Sequence, residues 1–372
     1  MKGKEDREQH DEAVVRRKPW KAMLTVLLVL FCLVAGTITG LGMFVANALK
    51  PVDIGESVTF EIEPGMHSTA VTKKLEQSGL IRSSLIFSYY LRYKDEGSRF
   101  QAGEYELTPG MTLDDMIEKF NTGDTIPIEM VRFTVPEGMT VAQMAEEFSS
   151  QGLIQQEEFL RLVSEPQNFM ATSIQDIPAD GDYMHWLEGY LFPETYEIVK
   201  EGFSEQVMVQ RMLEELDHKL EELPEDWPQQ LEKLGLTFHE VMTVASLIER
   251  EVILDEERPI VAGVIYNRLE IGQKLQIDAT VQYALGEHKD RVIYEDLEID
   301  HPYNTYLYAG LPPGPIAAPG LASIQAALYP EESPYFYYVT KKDGSQEHLF
   351  AETYAQHLAN IEQSKQMEAN AQ

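Results

Sequence analysis

The chain has 372 residues, of which 62 are acidic and 30 basic, for a net charge of −32 at neutral pH. A surface so negative excludes nucleic acid as a partner and repels anionic membrane surfaces and anionic wall polymers, so any polyanionic ligand has to be met at a locally neutral cleft. The only cysteine, Cys32, lies in an apolar stretch near the N-terminus, so the rest of the chain holds no internal disulfide and depends on packed cores.

From Ala22 to Leu49 no residue carries a formal charge. A helix needs about 20 such residues to cross roughly 30 Å of hydrocarbon. Arg16, Arg17, Lys18 and Lys21 precede the stretch, and Lys50 and Asp53 follow it. That asymmetry predicts a cytoplasmic tail over 1–21, a single transmembrane helix over 22–49, and everything after it on the extracellular or periplasmic side. The small-x-small sequence Ala46-Asn47-Ala48 keeps a cleaved signal peptide as the alternative. The first 21 residues hold seven basic and five acidic groups, which leaves the remainder at net −34. About 320 residues beyond the span are enough for two domains.

An internal repeat organises the next segment. Phe60, Gly65, Met66, Gly79, Leu80 and Ile81 recur 73 positions later, without a gap, as Phe133, Gly138, Met139, Gly152, Leu153 and Ile154. Each unit reads strand, Gly turn, helix, Gly stop and second helix. A shorter echo, Gly103 to Phe120, reads as strand, Pro-Gly turn and helix, with Thr112 and Asp115 forming an N-cap-like start. These features predict small α/β modules over 57–165. They carry no clustered nucleophile, base or metal set, which suits binding or spacing.

Residues 166–235 begin as loop around Pro166, Pro178 and Asp180-Gly181-Asp182. The aromatic run Trp186 to Tyr196 follows, then a long amphipathic helix over Phe203 to Leu220. Thr237-Phe-His-Glu240 is a capping box opening a helix through Val252. A second helix is expected over Glu256 to Leu269, with Pro259 in its first turn. A rigid Pro-Gly loop ends at Gly320, a helix spans Leu321 to Leu328, and Tyr335–Val339 turns at Asp343-Gly344 to return through Phe350. A polar helix closes the chain within 353–372.

Metal chemistry finds no support: there is no His-Glu-x-x-His, the histidines are scattered, and the one cysteine is in the apolar stretch. No Gly-x-Ser-x-Gly elbow and no phosphate-binding Gly loop are present. Ser246 reads as a small packing residue. Glu249 is the sharper candidate. It shares a helical face with Met242, Ala245 and Ser246, beside the stripe Val241, Val244, Ile248 and Val252. A carboxyl at the edge of a buried face can serve as a general acid; the alternative is a solvated Glu-Arg-Glu triplet. Downstream, Gln276, Asp278 and Thr280 alternate, and Asn304, Thr305 and Tyr306 cluster. Amides, carboxylates and aromatic faces suit a carbohydrate groove, although caps, turns and core positions would use the same residues.

The chain resembles the YceG-like family of endolytic murein transglycosylases. The resemblance rests on Leu187-Glu-Gly-Tyr-Leu-Phe-Pro-Glu-Thr-Tyr196, Ala245-Ser-Leu-Ile-Glu-Arg-Glu251, Val264-Ile-Tyr-Asn-Arg-Leu269, Leu275-Gln-Ile-Asp-Ala-Thr280, Tyr303-Asn-Thr-Tyr306 and Gly310 to Gly320, in that order. It implies an α+β fold: an N-terminal transmembrane helix, small LysM-like modules over 57–165 and a mixed α+β catalytic domain over 166–352. It implies Glu249 as catalytic acid and Glu251 as a supporting residue. The implied substrate-binding residues are Glu188, Tyr190, Gln276, Asp278, Thr280, Asn304, Thr305 and Tyr306. The implied reaction is a lyase cleavage of the β-1,4 bond between N-acetylmuramic acid and N-acetylglucosamine in nascent strands. It leaves 1,6-anhydro ends, limits strand elongation and needs no cofactor or metal. Implied partners are peptidoglycan strands, wall synthases and division or elongation proteins. A hydrolytic muramidase and a non-catalytic wall-binding protein remain the alternatives.

Overall fold

The computed structural model describes residues 19–165, 169–286 and 292–371. The tail through residue 18, with Arg16, Arg17 and Lys18, and the loop residue Pro166 lie outside the described residues. The chain divides into two compact units, one ending at Pro127 and the other beginning at Ile128.

The first unit opens with α1, Pro19–Ala48. Met23–Ala48 has mean hydropathy 2.5 and is the one helix among the described residues long and apolar enough to cross a membrane, giving a single-pass topology. Beyond it come β1 (Val58–Ile62), α2 (Ser68–Gln77), α3 (Ser84–Lys94), β2 (Gly103–Leu107) and α4 (Leu113–Thr122). β1 and β2 pair antiparallel with Phe60 opposite Tyr105. Alternate residues Phe60, Ile62, Tyr105 and Leu107 point into a core shared with Val71, Leu75, Phe87, Leu91 and Phe120. The Thr112–Asp115 capping box forms as expected and starts α4.

The second unit repeats the frame: β3 (Met130–Thr134), α5 (Val141–Ser150), α6 (Gln156–Ser164) and β4 (Thr195–Val199). Phe133 pairs with Tyr196 as Phe60 does with Tyr105. In both copies the closing tyrosine donates its hydroxyl hydrogen bond four residues back, Tyr105 to Gln101 O at 2.7 Å and Tyr196 to Phe192 O at 2.6 Å. The Phe133 and Tyr196 rings stack at 5.1 Å, worth about 1 kcal/mol beyond their burial. The module is therefore β-α-α-β. Its second copy closes only at β4, inside the aromatic motif, past the boundary at 165 that local pattern suggests. The second copy also shares one continuous core with the helices that follow, so it belongs with them.

Those helices are α7 (Glu205–Leu220), α8 (Trp227–Leu234), α9 (Phe238–Glu251), α10 (Arg258–Glu270), α11 (Asp278–Leu285) and α12 (Leu321–Leu328). α9 is central: Val241, Met242, Val244, Ala245, Ser246, Leu247 and Ile248 are all fully buried, against α10, α11 and α12. The Thr237–Glu240 capping box begins it. A hairpin of β5 (Tyr337–Thr340) and β6 (His348–Ala351) follows, and α13 (Tyr354–Ala371) packs on that hairpin.

Candidate active site

Three helix ends converge at Glu249. It lies in the last turn of α9, Arg258 opens α10, and Gly320 is the N-cap of α12. The Glu249 side chain is 7% exposed. Its Oε2 accepts from Gly320 N at 3.0 Å, Ser323 Oγ at 2.8 Å and Arg258 Nη1 at 3.4 Å. The first of these uses the positive end of the α12 dipole. Arg258 is itself held: Nη1 donates to Ser323 Oγ at 2.6 Å and Nε to Asp255 Oδ1 at 3.0 Å. Among the described residues no hydrogen bond reaches Glu249 Oε1.

The Pro-Gly loop that delivers Gly320 is pinned along its length. Ile316 N donates to Ser246 Oγ at 3.0 Å, so Ser246 is a packing residue with a structural hydrogen bond. Gly138 N donates to Ala318 O at 2.8 Å and Ala318 N to Met139 O at 2.9 Å. His239 Nε2 lies 2.9 Å from Pro313 O. A carbonyl can only accept, so Nε2 carries the proton and Nδ1 accepts from Tyr190 Oη at 2.9 Å. Burial pushes the His239 pKa down, in keeping with a neutral ring. A Cβ at Gly189 would meet Pro315 Cβ at 2.4 Å, so glycine there lets the aromatic motif run under the loop.

Several residues expected to line the groove lie inside the protein. Tyr190 is fully buried and supports the loop through His239. Glu188 is 1% exposed. Its two oxygens accept from Val141 N at 3.0 and 3.2 Å, and Oε2 also from Tyr283 Oη at 3.1 Å, so it holds the start of α5 to α11. Burial outweighs these donors and pushes its pKa up to about 8. Thr280 and Thr305 are buried, with their hydroxyls 2.9 Å apart. Thr305 Oγ1 accepts from Ile277 N at 3.0 Å. Asn304, fully buried, donates to Leu297 O and Ile299 O and accepts from Tyr306 N. The polar atoms of these five residues are engaged with the protein's own backbone and side chains.

The other three expected ligands sit at the surface. Gln276 is exposed, with a left-handed φ of 49°. Exposed Asp278 accepts from Tyr306 Oη at 2.5 Å, and Tyr306 is half-buried. Glu251, two positions after Glu249, points to another side of the helix, as expected. It accepts from Tyr338 Oη at 2.9 Å, and burial together with the charge of Asp278 raises its pKa. Arg268 braces this side by donating to Phe336 O and Leu275 O. Glu251, Asp278 and Tyr306 thus form a second polar cluster, apart from the donors around Glu249.

Sequence pattern did not single out Glu137, Arg250, Arg258 or Ser323. Arg250 Nη1 donates to Gly138 O at 2.9 Å, and Arg250 lines a cavity of about 370 Å³ with Thr140, Gln143, Glu146, Gln282 and Tyr283. An adjoining depression is bounded by Glu137, Gly138, Gln143, Glu146 and the same Arg250. Cavities of this size suit small-ligand sites. The repeat held one clue: the residue before the turn glycine is Pro64 in the first copy and Glu137 in the second. Among the described residues no group of three or more His, Cys, Asp or Glu could hold a metal.

The sequence profile of the YceG-like family matches residues 60–363. The chain is 35% identical to an endolytic murein transglycosylase of Bacillus subtilis (strain 168) over 329 residues, 86% of this chain and 89% of that protein. It is 32% identical to an endolytic murein transglycosylase of Streptococcus pneumoniae serotype 2, over 85% of this chain and 60% of that protein. The crystal structure of a YceG-like protein from Listeria monocytogenes matches with a TM-score of 0.55 and 34% identity, over 82% of this chain and 99% of that one.

Proposed function

Because the chain belongs to the YceG-like family, we propose that it is a membrane-anchored endolytic lytic transglycosylase acting on nascent peptidoglycan strands. The observation that carries this is Glu249, set at the meeting of three helix ends with Oε2 held by three donors and Oε1 free. The substrate bond is the β-1,4 link between N-acetylmuramic acid and N-acetylglucosamine. Glu249 gives a proton to the leaving oxygen and takes one from the C6 hydroxyl of the muramoyl residue. That hydroxyl attacks C1 and leaves a 1,6-anhydro end. Water is not consumed, unlike the two-carboxylate hydrolases. One group acting first as acid and then as base needs a rigid setting, and Arg258, Ser323 and the α12 N-terminus supply it.

The catalytic unit works outside the cytoplasmic membrane with the N-terminus in the cytoplasm. Tethering restricts it to glycan near the membrane, where new strands emerge, and its cuts limit strand length. The β-α-α-β unit over 58–107 serves as a LysM-like glycan-holding module. Gln276, Asp278 and Tyr306 contact sugar from the surface edge. Wall synthases and division or elongation proteins are the partners this placement favours.

The test uses full-length protein in detergent with uncross-linked glycan strands. The wild type releases anhydro-muropeptides, and Glu249→Gln abolishes release while unfolding remains cooperative. Most activity surviving in Glu249→Gln would refute the assignment. A second carboxyl stands beside Glu249, and a hydrolytic muramidase would use such a pair. Mass spectrometry separates the two, since reducing ends weigh one water more than anhydro ends.

A further inference from the structure

Glu137 and Glu249 meet over one glycine. A Cβ built on Gly320 would lie 1.9 Å from Glu137 Oε1 and 2.6 Å from its Cδ. The same residue's N–H donates to Glu249 Oε2 at 3.0 Å. On the other flank, a Cβ on Gly138, next in sequence to Glu137, would lie 3.9 Å from Glu249 Cγ. A side chain at 320 would require the Glu137 carboxyl to move from this position.

The turn carrying Glu137 is fixed. Gly138 adopts φ +72°, donates to Ala318 O and accepts from Arg250 Nη1, while Met139 O accepts from Ala318 N. The backbone that carries Glu137 is therefore clamped at the site, while its side chain reaches Gly320 from the exposed side of the turn.

The two carboxyls differ in their surroundings. Glu249 has a cation, a hydroxyl and a helix N-terminus on one oxygen. Glu137 makes no hydrogen bond or ion pair among the described residues, and the charged groups that face it are Glu249, Arg258 and Asp255. Burial and the charge of Glu249 raise the Glu137 pKa, and Arg258 opposes them. When two carboxyls share a site, the one with fewer donors keeps the proton.

The geometry points to a division of labour: Glu137 is the acid that protonates the leaving sugar oxygen, and Glu249 is the base that deprotonates the attacking hydroxyl. This rests on the transglycosylase reading above and changes only which carboxyl gives the first proton. As the C1–O bond breaks, its oxygen takes the Glu137 proton. As C1–O6 forms, the O6 proton passes to Glu249. Transfer of that proton from Glu249 to Glu137 resets the pair, and no water or other co-reactant enters.

The experiment compares two substrates with full-length protein in detergent: glycan strands, and a muramoyl glycoside bearing 4-nitrophenol, a leaving group that needs no proton. Glu137→Gln should slow strand cleavage by about 100-fold or more. On the nitrophenyl substrate it should stay within about tenfold of wild type, because the step it serves is bypassed. Glu249→Gln should lose both substrates. Wild-type strand cleavage by Glu137→Gln overturns the inference and leaves Glu249 in place. Equal loss on both substrates by a folded Glu137→Gln also overturns it, since that is the signature of a merely positional role. Absence of anhydro products from the wild type instead removes the transglycosylase reading, and the inference falls with it.

Discussion

The carboxyl of Glu188 is buried at the joint between α5 and α11, with its pKa raised from 4.5 to about 8. Burial is the largest cause, and the donors Val141 N–H, Tyr283 O–H and Gly189 N–H pull the other way without cancelling it. The folded state therefore holds a proton that the unfolded chain releases near pH 4.5. Between pH 4.5 and 8 the native state binds more protons than the unfolded state, so stability falls as pH rises through that window and levels off above it. The shift corresponds to about 5 kcal/mol in all, with a slope no steeper than about 1.4 kcal/mol per pH unit. Glu188→Gln keeps the shape and an amide acceptor for Val141 N while removing the titration. Urea unfolding of wild type and variant at a series of pH values from 4 to 9 isolates the group, because every other carboxylate titrates in both proteins. The wild-type curve should drop relative to the variant's across the window, with the variant the more stable by several kcal/mol at pH 9. Parallel curves would refute the reasoning and mean that the three donors cancel the effect of burial.

Two other predictions concern the walls of the site. Thr305→Val conserves volume but strands the buried Ile277 N–H and removes the partner of Thr280; it should cost about 2 kcal/mol in denaturant unfolding and leave KM for glycan unchanged. A raised KM with unchanged stability would instead make Thr305 a ligand. Arg258→Met leaves Glu249 without its cation in a setting where both side chains are under 10% exposed; about 3 kcal/mol of stability should be lost by the same assay, together with most strand cleavage.

Local physics made parts of this protein readable in advance. Capping boxes depend on residues three apart, and Thr112–Asp115 and Thr237–Glu240 both form. The turn glycines recur because the chain must turn left-handed there: Gly65 and Gly138 have φ of 79° and 72°. The placement of Glu249 at the edge of the buried α9 face followed from helical spacing, and its side chain is nearly but not wholly covered. What local pattern does not carry is non-local. Thr134 and Thr195 face each other across the β3–β4 ladder 61 residues apart, which no window of sequence contains. Buried Thr280, Asn304 and Thr305 and exposed Gln276 and Asp278 look alike in sequence, since a polar residue among apolar ones fits either a ligand site or an internal hydrogen bond. Burial alone separates them.

The two β-α-α-β copies also bear on how the site is built. In each, the first strand runs into a turn whose glycine takes the left-handed conformation, and the residue before that glycine sits at the turn's outer corner. In the first copy that residue is Pro64, which stiffens the backbone and offers no chemistry. In the second it is Glu137, and the turn is laced to the loop at Ala318 and to Arg250. The first copy keeps a core of its own, whereas the second copy's Phe133, Met144 and Phe148 merge with the core around α9. Fusing the second copy's core to the helices around α9 fixes the backbone of this turn beside Gly320, through the paired hydrogen bonds of Gly138 and Met139 with Ala318. On the division of labour proposed above, separating that turn from the helices that carry Glu249 should remove one of the two carboxyls from the site.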